Sequence, residues 1–334
     1  MSRQVTYVQA MNEAFAEEMS RDEKVFLMGI DVRKSVFGPT ARLVDRFGTE
    51  RVRNTPICES AIVGAALGAA LTGMRPLAEI MFSDFAFVAM DQIANQVGNW
   101  RYMTGGQYNA PMVIYTLEGG GMGLGYNHSG CVASFFQSIP GLTVVAGSDP
   151  YTVKGLMKAA IRCDDPVLLL GHKGLLGLTG EVPEEDYTVN LLKARVVREG
   201  RDVTVIAHHA MLHKSLAVAD ELEKEGISVE VIDPVCLSDL DRETILSSVS
   251  KTGRLVIAEE GRKVAGIGAE ISAMVIENAF FDLDAPIKRV GAPSIPVPGS
   301  CHLEQEAYLP GPRQIRGAVL SLFEGGPMRE ATQW

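Results

Sequence analysis

Residues 56–73 read PICESAIVGAALGAALTG and set one carboxylate, Glu59, ahead of small apolar residues, with no further charge before Arg75. One reading is structural: a helix dipole favours an acid in its first turn by ~0.3–1 kcal/mol. The other is chemical. The neighbours Ile57, Ala61, Ile62 and Val63 would desolvate the carboxyl and raise its pKa. It could then share a proton with a ligand near neutral pH.

A second candidate is EGGGMGLGYNHSGC, residues 118–131. Its glycines at 119, 120, 121, 123 and 125 let the backbone approach a ligand closely. No Gly-Lys-Ser/Thr follows, so it is not a phosphate loop. It is a poor dinucleotide fingerprint because it follows a late strand, and no helix opens directly after it. His128, near its end, is either a binding or proton-transfer residue or a surface imidazole, since histidine changes charge near working pH. HHAMLH places His209 and His213 one helical turn apart. No third ligand is evident nearby and the segment spans a strand-to-helix turn, so no metal is assigned. Among Phe82, Phe85 and Phe87, the first or last belongs to the core and Phe85 is placed to cover a ring. Asp91 and Gln92 are read as structural.

These residues need a scaffold, and its outline is legible. Short apolar runs with the character of buried strands, KVFLMG (24–29), RPLAEIM (75–81), PMVIYTL (111–117), LTVVAGS (142–148) and PVLLLGHK (166–173), alternate with helical segments over 59–71, 85–103 and 151–162. A strand-like NTPIC precedes Glu59. Continuous apolar strands indicate a parallel sheet covered on both faces. Residues 174–201 break the rhythm with glycine, proline and clustered charge, which sets a domain boundary near 190. Beyond it the strands DVTVIAHH, SVEVIDPV, RLVIAEEG and PIKRVGAP alternate with helices over MLHKSLAVADELEKEG, DRETILSSVSKTG and GAEISAMVIENAFFDL. The expectation is α/β throughout: two doubly wound domains, 1–190 and 191–334, with a loose tail GGPMREATQW.

The 334 residues suit about two domains. The longest apolar run, 61–74, is shorter than the ~20 residues that cross a bilayer, and the N-terminus lacks a basic segment followed by an apolar one. A net charge of -10 disfavours nucleic acid and anionic membranes. Five cysteines with neither metal-type pairs nor a disulfide framework suit a reducing compartment. The expected location is cytoplasmic.

With these residues in place, the chain resembles the beta subunit of the thiamine-diphosphate-dependent 2-oxo acid dehydrogenases, the decarboxylating first components of the pyruvate, branched-chain and acetoin dehydrogenase complexes. The likeness is carried by NTPICESAIVGAALGAALTGMRP (54–76), FSDFAFVAMDQIANQVGNWRYMTGGQ (82–107) and SDPYTVKGLMKAAIRCDDPVLLLGHK (148–173). In the second half it continues through EGRDVTVIA (199–207), EGISVEVIDP (225–234), DRETILSSVSKTGRLVIAEE (241–260) and APSIPVPGS (292–300).

The resemblance implies a pyrimidine-binding domain followed by a transketolase C-terminal-like domain. It implies that Glu59 is the acid exchanging a proton with the cofactor's aminopyrimidine ring, that Ile57, Met81 and Phe85 complete the ring's pocket, and that His128 is the active-site histidine. No Gly-Asp-Gly occurs in the sequence, so the Mg²⁺ and diphosphate half of thiamine diphosphate is expected on an alpha subunit in an α2β2 heterotetramer. The implied reaction is decarboxylation of a 2-oxo acid, or cleavage of an acyloin, with acyl transfer to a lipoyl acyltransferase or another acceptor.

The chain departs from the family at His128-Ser129-Gly130, Met81, Met122-Gly123-Leu124, Gly171-His172-Lys173 and Cys163, the last where relatives bind a monovalent cation. The pocket reads as more apolar than a pyruvate site. The alternatives left open are a two-subunit carboligase or transketolase-like enzyme without a lipoyl partner, and a non-catalytic structural subunit. A nicotinamide dehydrogenase is the weakest rival.

Overall fold

The computed structural model describes residues 2–324; the tail GGPMREATQW lies outside them. Six strands form the first sheet in the order Val52–Asn54, Val25–Gly29, Arg75–Ile80, Val113–Glu118, Val167–His172 and Thr143–Ala146, all parallel. The strands Val25–Gly29, Val113–Glu118 and Val167–His172 are buried at every residue, as strands covered on both faces must be. Helix Glu59–Leu71 covers one face, where Ile62, Val63 and Ala66 pack with Ile93 and Val97. Helices Tyr7–Arg21 and Pro150–Arg162 cover the other. These two helices exchange charge: Lys154 Nζ lies 2.9 Å from Glu13 and 2.7 Å from Glu17, and Lys158 Nζ lies 2.5 Å from Glu17.

The second sheet has the order Lys288–Ala292, Leu255–Arg262, Val203–Ala207, Val229–Asp233 and Arg195–Arg198, with only the last strand antiparallel. Helices His209–Glu223, Arg242–Thr252 and Ile267–Ala279 pack on it. The two sheets are joined. Ala146 N–H donates to Val235 O (2.9 Å) and Leu237 N–H to Val144 O (2.8 Å), and one apolar cluster runs from Leu168 and Leu170 to Ile206, Ile232 and Leu237. Among the described residues, no helix is long and apolar enough to cross a membrane.

The α/β reading holds, with local corrections. The NTPIC strand stops at Asn54. The irregular stretch 174–201 contains two strands, Thr179–Pro183, paired with Ser2–Thr6, and Arg195–Arg198. The single helix expected over 85–103 is three pieces: a 3₁₀ turn Ser83–Ala89, a π-helical turn Gln92–Gly98 and a short α-helix Trp100–Met103. Tertiary ties explain the breaks. Ser83 Oγ donates to Gly130 O (3.0 Å) and Asp84 Oδ2 accepts from Gly130 N–H (3.0 Å), which fixes the first turn to the glycine loop. At Gly98, a Cβ would meet Ile139 at 2.6 Å, so the backbone there is pressed against a neighbouring segment. Such contacts override helical periodicity.

Candidate active site

Glu59 opens helix Glu59–Leu71, preceded by Cys58, whose side chain makes no cap. It is 5% exposed, and among the described residues nothing donates a hydrogen bond to its carboxylate. The apolar surround expected from sequence is one-sided. Ile62 and Val63 are buried, but Ile57 is 80% exposed and Ala61 faces solvent. Successive residues of a helix point in different directions, and the turn before it carries Ile57 outward. Glu59 therefore stands between buried Ile62 and Val63 on one side and exposed Ile57 and Ala61 on the other. Next to it, Ser60 Oγ donates to Val88 O (2.6 Å), tying the helix start to the 3₁₀ turn.

That turn brings Phe85 to His128. Phe82, Phe85 and His128 form an edge-to-face trio, with ring centroids 5.8 Å (Phe82–Phe85), 4.4 Å (Phe82–His128) and 5.2 Å (Phe85–His128) apart. Phe82 is half-buried, with Phe37 at 5.3 Å and Lys173 Nζ 5.6 Å over its ring. The alternative core candidate Phe87 is 42% exposed, edge-on to Phe135. Met81, half-buried, directly precedes the trio. His128 Nδ1 faces Asn127 Oδ1 at 2.8 Å. An amide oxygen only accepts, so Nδ1 carries the proton and Nε2 is left as an acceptor. The structure thus unites Phe85 and His128. Among the described residues Glu59 makes no ring or hydrogen-bond contact with either.

The loop carrying His128 is held by carboxylates that the sequence reading did not single out. Val132 N–H donates to Glu118 Oε2 (3.1 Å), Gly120 N–H to Glu260 Oε1 (2.7 Å), Gly123 N–H to Glu304 Oε2 (2.6 Å) and Gly130 N–H to Asp84 Oδ2 (3.0 Å). Glu118, Glu260 and Glu304 are buried, and the last two come from the C-terminal half of the chain. Gly119 shows why glycine is needed: its φ is +94°, and a Cβ there would collide with the His172 ring.

Behind the loop, the strand ends of both sheets converge. His172 Nδ1 accepts from Gly174 N–H (3.1 Å), so Nε2 carries the proton and faces Glu260 Oε2 at 3.2 Å. His209 faces two acceptors, Glu118 Oε1 at 3.1 Å and Leu170 O at 3.0 Å. Burial alone would raise the Glu118 and Glu260 carboxyls, but their histidine partners outweigh it and hold both below the usual range. Burial would likewise lower His209, but its bond to the Glu118 carboxylate wins and raises it. His208, with no such bond, is pushed down to about 4 by burial and then by the His209 charge. Burial also raises the Cys131 thiol, well above its ordinary value, and lowers the Lys173 ammonium. His213, the expected turn-mate of His209, instead faces Ser148 O at 2.6 Å. A cavity of about 230 Å³ opens beside the loop, lined by Asp84, Cys131, Glu260, Arg262, Tyr308 and Leu309 among others.

Two α/β units with polar side chains gathered at strand ends define a transketolase-type architecture, and comparison with known proteins agrees. Residues 3–179 match the family "Transketolase, pyrimidine binding domain" and residues 192–315 match "Transketolase, C-terminal domain". The chain is 42% identical to "2-oxoisovalerate dehydrogenase subunit beta" of Bacillus subtilis (strain 168), over 96% of this chain and 99% of the relative. It is 43% identical to "Acetoin:2,6-dichlorophenolindophenol oxidoreductase subunit beta" of Cupriavidus necator (98% and 99% covered). It is 42% identical to "Pyruvate dehydrogenase E1 component subunit beta" of Bacillus subtilis (strain 168) (96% and 99%). Among solved structures it is similar to a "Split gene transketolase, inactive beta4 tetramer", with a TM-score of 0.77 and 25% identity, covering 95% of this chain and 98% of that one. The chain belongs to the family of beta subunits of thiamine-diphosphate-dependent 2-oxo acid dehydrogenases.

Proposed function

We propose that this chain supplies the aminopyrimidine half of a thiamine diphosphate site in a two-chain enzyme that decarboxylates a 2-oxo acid or cleaves an acyloin. The observation that carries it is Glu59: a carboxylate at a helix start, nearly buried yet with no hydrogen-bond donor among the described residues. A ring nitrogen that must gain and lose a proton fits such a group. In this reading Ile57 and Met81 are apolar walls, and Phe85 covers the ring from the trio that also fixes His128. Glu59 holds or releases a proton at a carboxyl oxygen. His128 takes up a proton in transit at Nε2 and, once protonated there, donates to the substrate carboxylate, and the carboxylate-held glycine loop keeps it at that place. Thiamine diphosphate, when bound, supplies a nucleophilic carbon and an electron sink for breaking the bond next to a carbonyl. Mg²⁺ and the diphosphate are assigned to the alpha subunit, because this sequence has no Gly-Asp-Gly.

Exposed apolar side chains support contact with a partner chain, in this reading within an α2β2 assembly: Ile57, Phe87, Val88, Tyr102, Met103 and Tyr108. Such exposure marks protein contacts. The acyl acceptor in this reading is a lipoyl group, carried by an acyltransferase, or another acceptor. We also divide the chain near residue 190 and place the protein in the cytoplasm, which its five free cysteines suit.

The test is Glu59→Gln in the chain co-expressed with its alpha subunit. Assembly should persist while turnover falls by ~10²-fold or more, the scale of a lost acid–base group. A fully active Glu59→Ala enzyme would refute the assignment. The likeness to a split-gene transketolase keeps a carboligase in view; aldehyde acceptors supporting turnover where artificial electron acceptors do not would favour it.

A further inference from the structure

From the geometry behind the loop, we infer that Glu118, His208 and His209 form a site for one divalent transition-metal ion, with zinc the ion of choice, at the seam between the two sheets. One oxygen of Glu118 and one ring nitrogen of each histidine lie within 4.8 Å of one another, and all three residues are buried. A second, independent feature points to a ligand. His208 is 8% exposed, and its Nδ1, cut off from water, has no hydrogen-bond partner among the described residues. A buried ring nitrogen left unpaired costs free energy, and a metal ion would satisfy it.

The surroundings are already those of a metal centre. Ligating histidines commonly give their other N–H to a carbonyl or carboxylate, and ligating carboxylates are themselves hydrogen-bonded. His209 directs Nε2 at Leu170 O (3.0 Å) while Nδ1 faces Glu118 Oε1 (3.1 Å). The far oxygen of Glu118 accepts from Val132 N–H (3.1 Å). Donors ~2.0–2.2 Å from a tetrahedral ion sit a little over 3 Å apart, close to the existing Glu118–His209 spacing, so His208 needs the larger adjustment.

His209 also stands at φ +51°, a region costly for a residue with a side chain and kept where the surroundings impose it. Two histidines and one carboxylate with a fourth position for water are ligands that zinc accepts. Glu118 ends a strand of the first sheet and the histidines begin a helix on the second, so the ion would pin one half of the chain to the other.

The experiment uses the full chain, stripped with a chelator and dialysed against buffered Zn²⁺, with metal counted by mass spectrometry. About one zinc per chain is expected, with a raised thermal midpoint. Glu118→Gln, which keeps an acceptor for Val132, and His208→Ala should each weaken binding at least ~10-fold and abolish the thermal gain. His213→Ala, outside the triad, should change neither. Substitution with Co²⁺ in the unaltered chain should give visible bands of a four-coordinate nitrogen–oxygen site, a readout that needs no variant to fold. No retained zinc, retention unchanged in His208→Ala, or a sulfur-to-cobalt charge-transfer band implicating Cys131 would overturn the inference.

Discussion

Glu79, in strand Arg75–Ile80, offers a clean test of how burial is used in this fold. Its Oε2 is shielded from water with no hydrogen-bond partner among the described residues, and desolvation moves its titration from 4.5 up to about 8. At ~1.4 kcal/mol per pH unit, ionising it in the folded chain costs at most ~5 kcal/mol. Because the residue is only partly covered, about half that is the expected effect. The sign follows from proton counting. Below pH 4.5 both states are protonated and Glu79 is neutral in its effect. Between 4.5 and about 8 the unfolded chain has lost the proton while the folded one keeps it, so stability falls as pH rises. Above 8 the penalty is constant. Glu79→Gln removes the titration, so its advantage over the natural chain should be near zero at pH 5 and ~2–3 kcal/mol at pH 9. Urea unfolding of both proteins across that range, with unchanged m-values, measures the difference. A difference that does not vary with pH, or a glutamine variant less stable than the natural chain at pH 9, would refute the reasoning.

Further expectations concern the loop, the trio and the helix pair. Gly119→Ala forces a Cβ against His172 at a left-handed backbone position; a loss of ~2 kcal/mol or more in stability is expected by thermal unfolding, on the scale of backbone strain plus overpacking. Phe85→Ala should weaken thiamine diphosphate retention ~5-fold in the co-expressed assembly, read by titration of cofactor-dependent activity, since an aromatic contact is worth ~1 kcal/mol. His128→Gln should lower kcat while leaving cofactor affinity within about two-fold, a split measured by steady-state kinetics. Lys154→Ala removes one partner from each of Glu13 and Glu17, which keep Arg3 and Lys158; a cost of ~2 kcal/mol is expected in urea, below the range for fully buried pairs because both acids retain a cation and reach water.

What sequence could and could not reveal follows from where each signal lives. The central strands were legible because a parallel strand buried on both faces must be apolar at successive positions, and LLLG or VIYTL can do little else. The helix 59–71 was legible to the residue because small apolar residues run unbroken to the turn at Thr72 and Gly73. Helix Tyr7–Arg21 has a weaker apolar pattern, and its local signature is the capping box that Thr6 and Gln9 form at its start. The stretch 85–103 misled because its hydrophobic spacing suits one helix, whereas Ser83, Asp84 and Gly98 answer to partners far along the chain.

The polar seam is a different case. Glu118 meets His209 across 91 residues and His172 meets Glu260 across 88, so no window of sequence holds both members of a pair. Yet Glu118 and His172 end their strands, His209 lies just beyond one, and Glu260 lies two residues before the end of Leu255–Arg262, and open α/β sheets gather their ligands at that edge. A charged or imidazole side chain that closes an apolar run therefore carries positional meaning even when its partner is invisible. By that rule Glu118, His172, His209 and Glu260 were all available as candidates. The same argument explains why the loop bearing His128 is held from two sides: the strand ends of one sheet face those of the other, and the loop threads between them. Perturbing the seam should then be felt first in the placement of His128 and only later in the stability of either sheet.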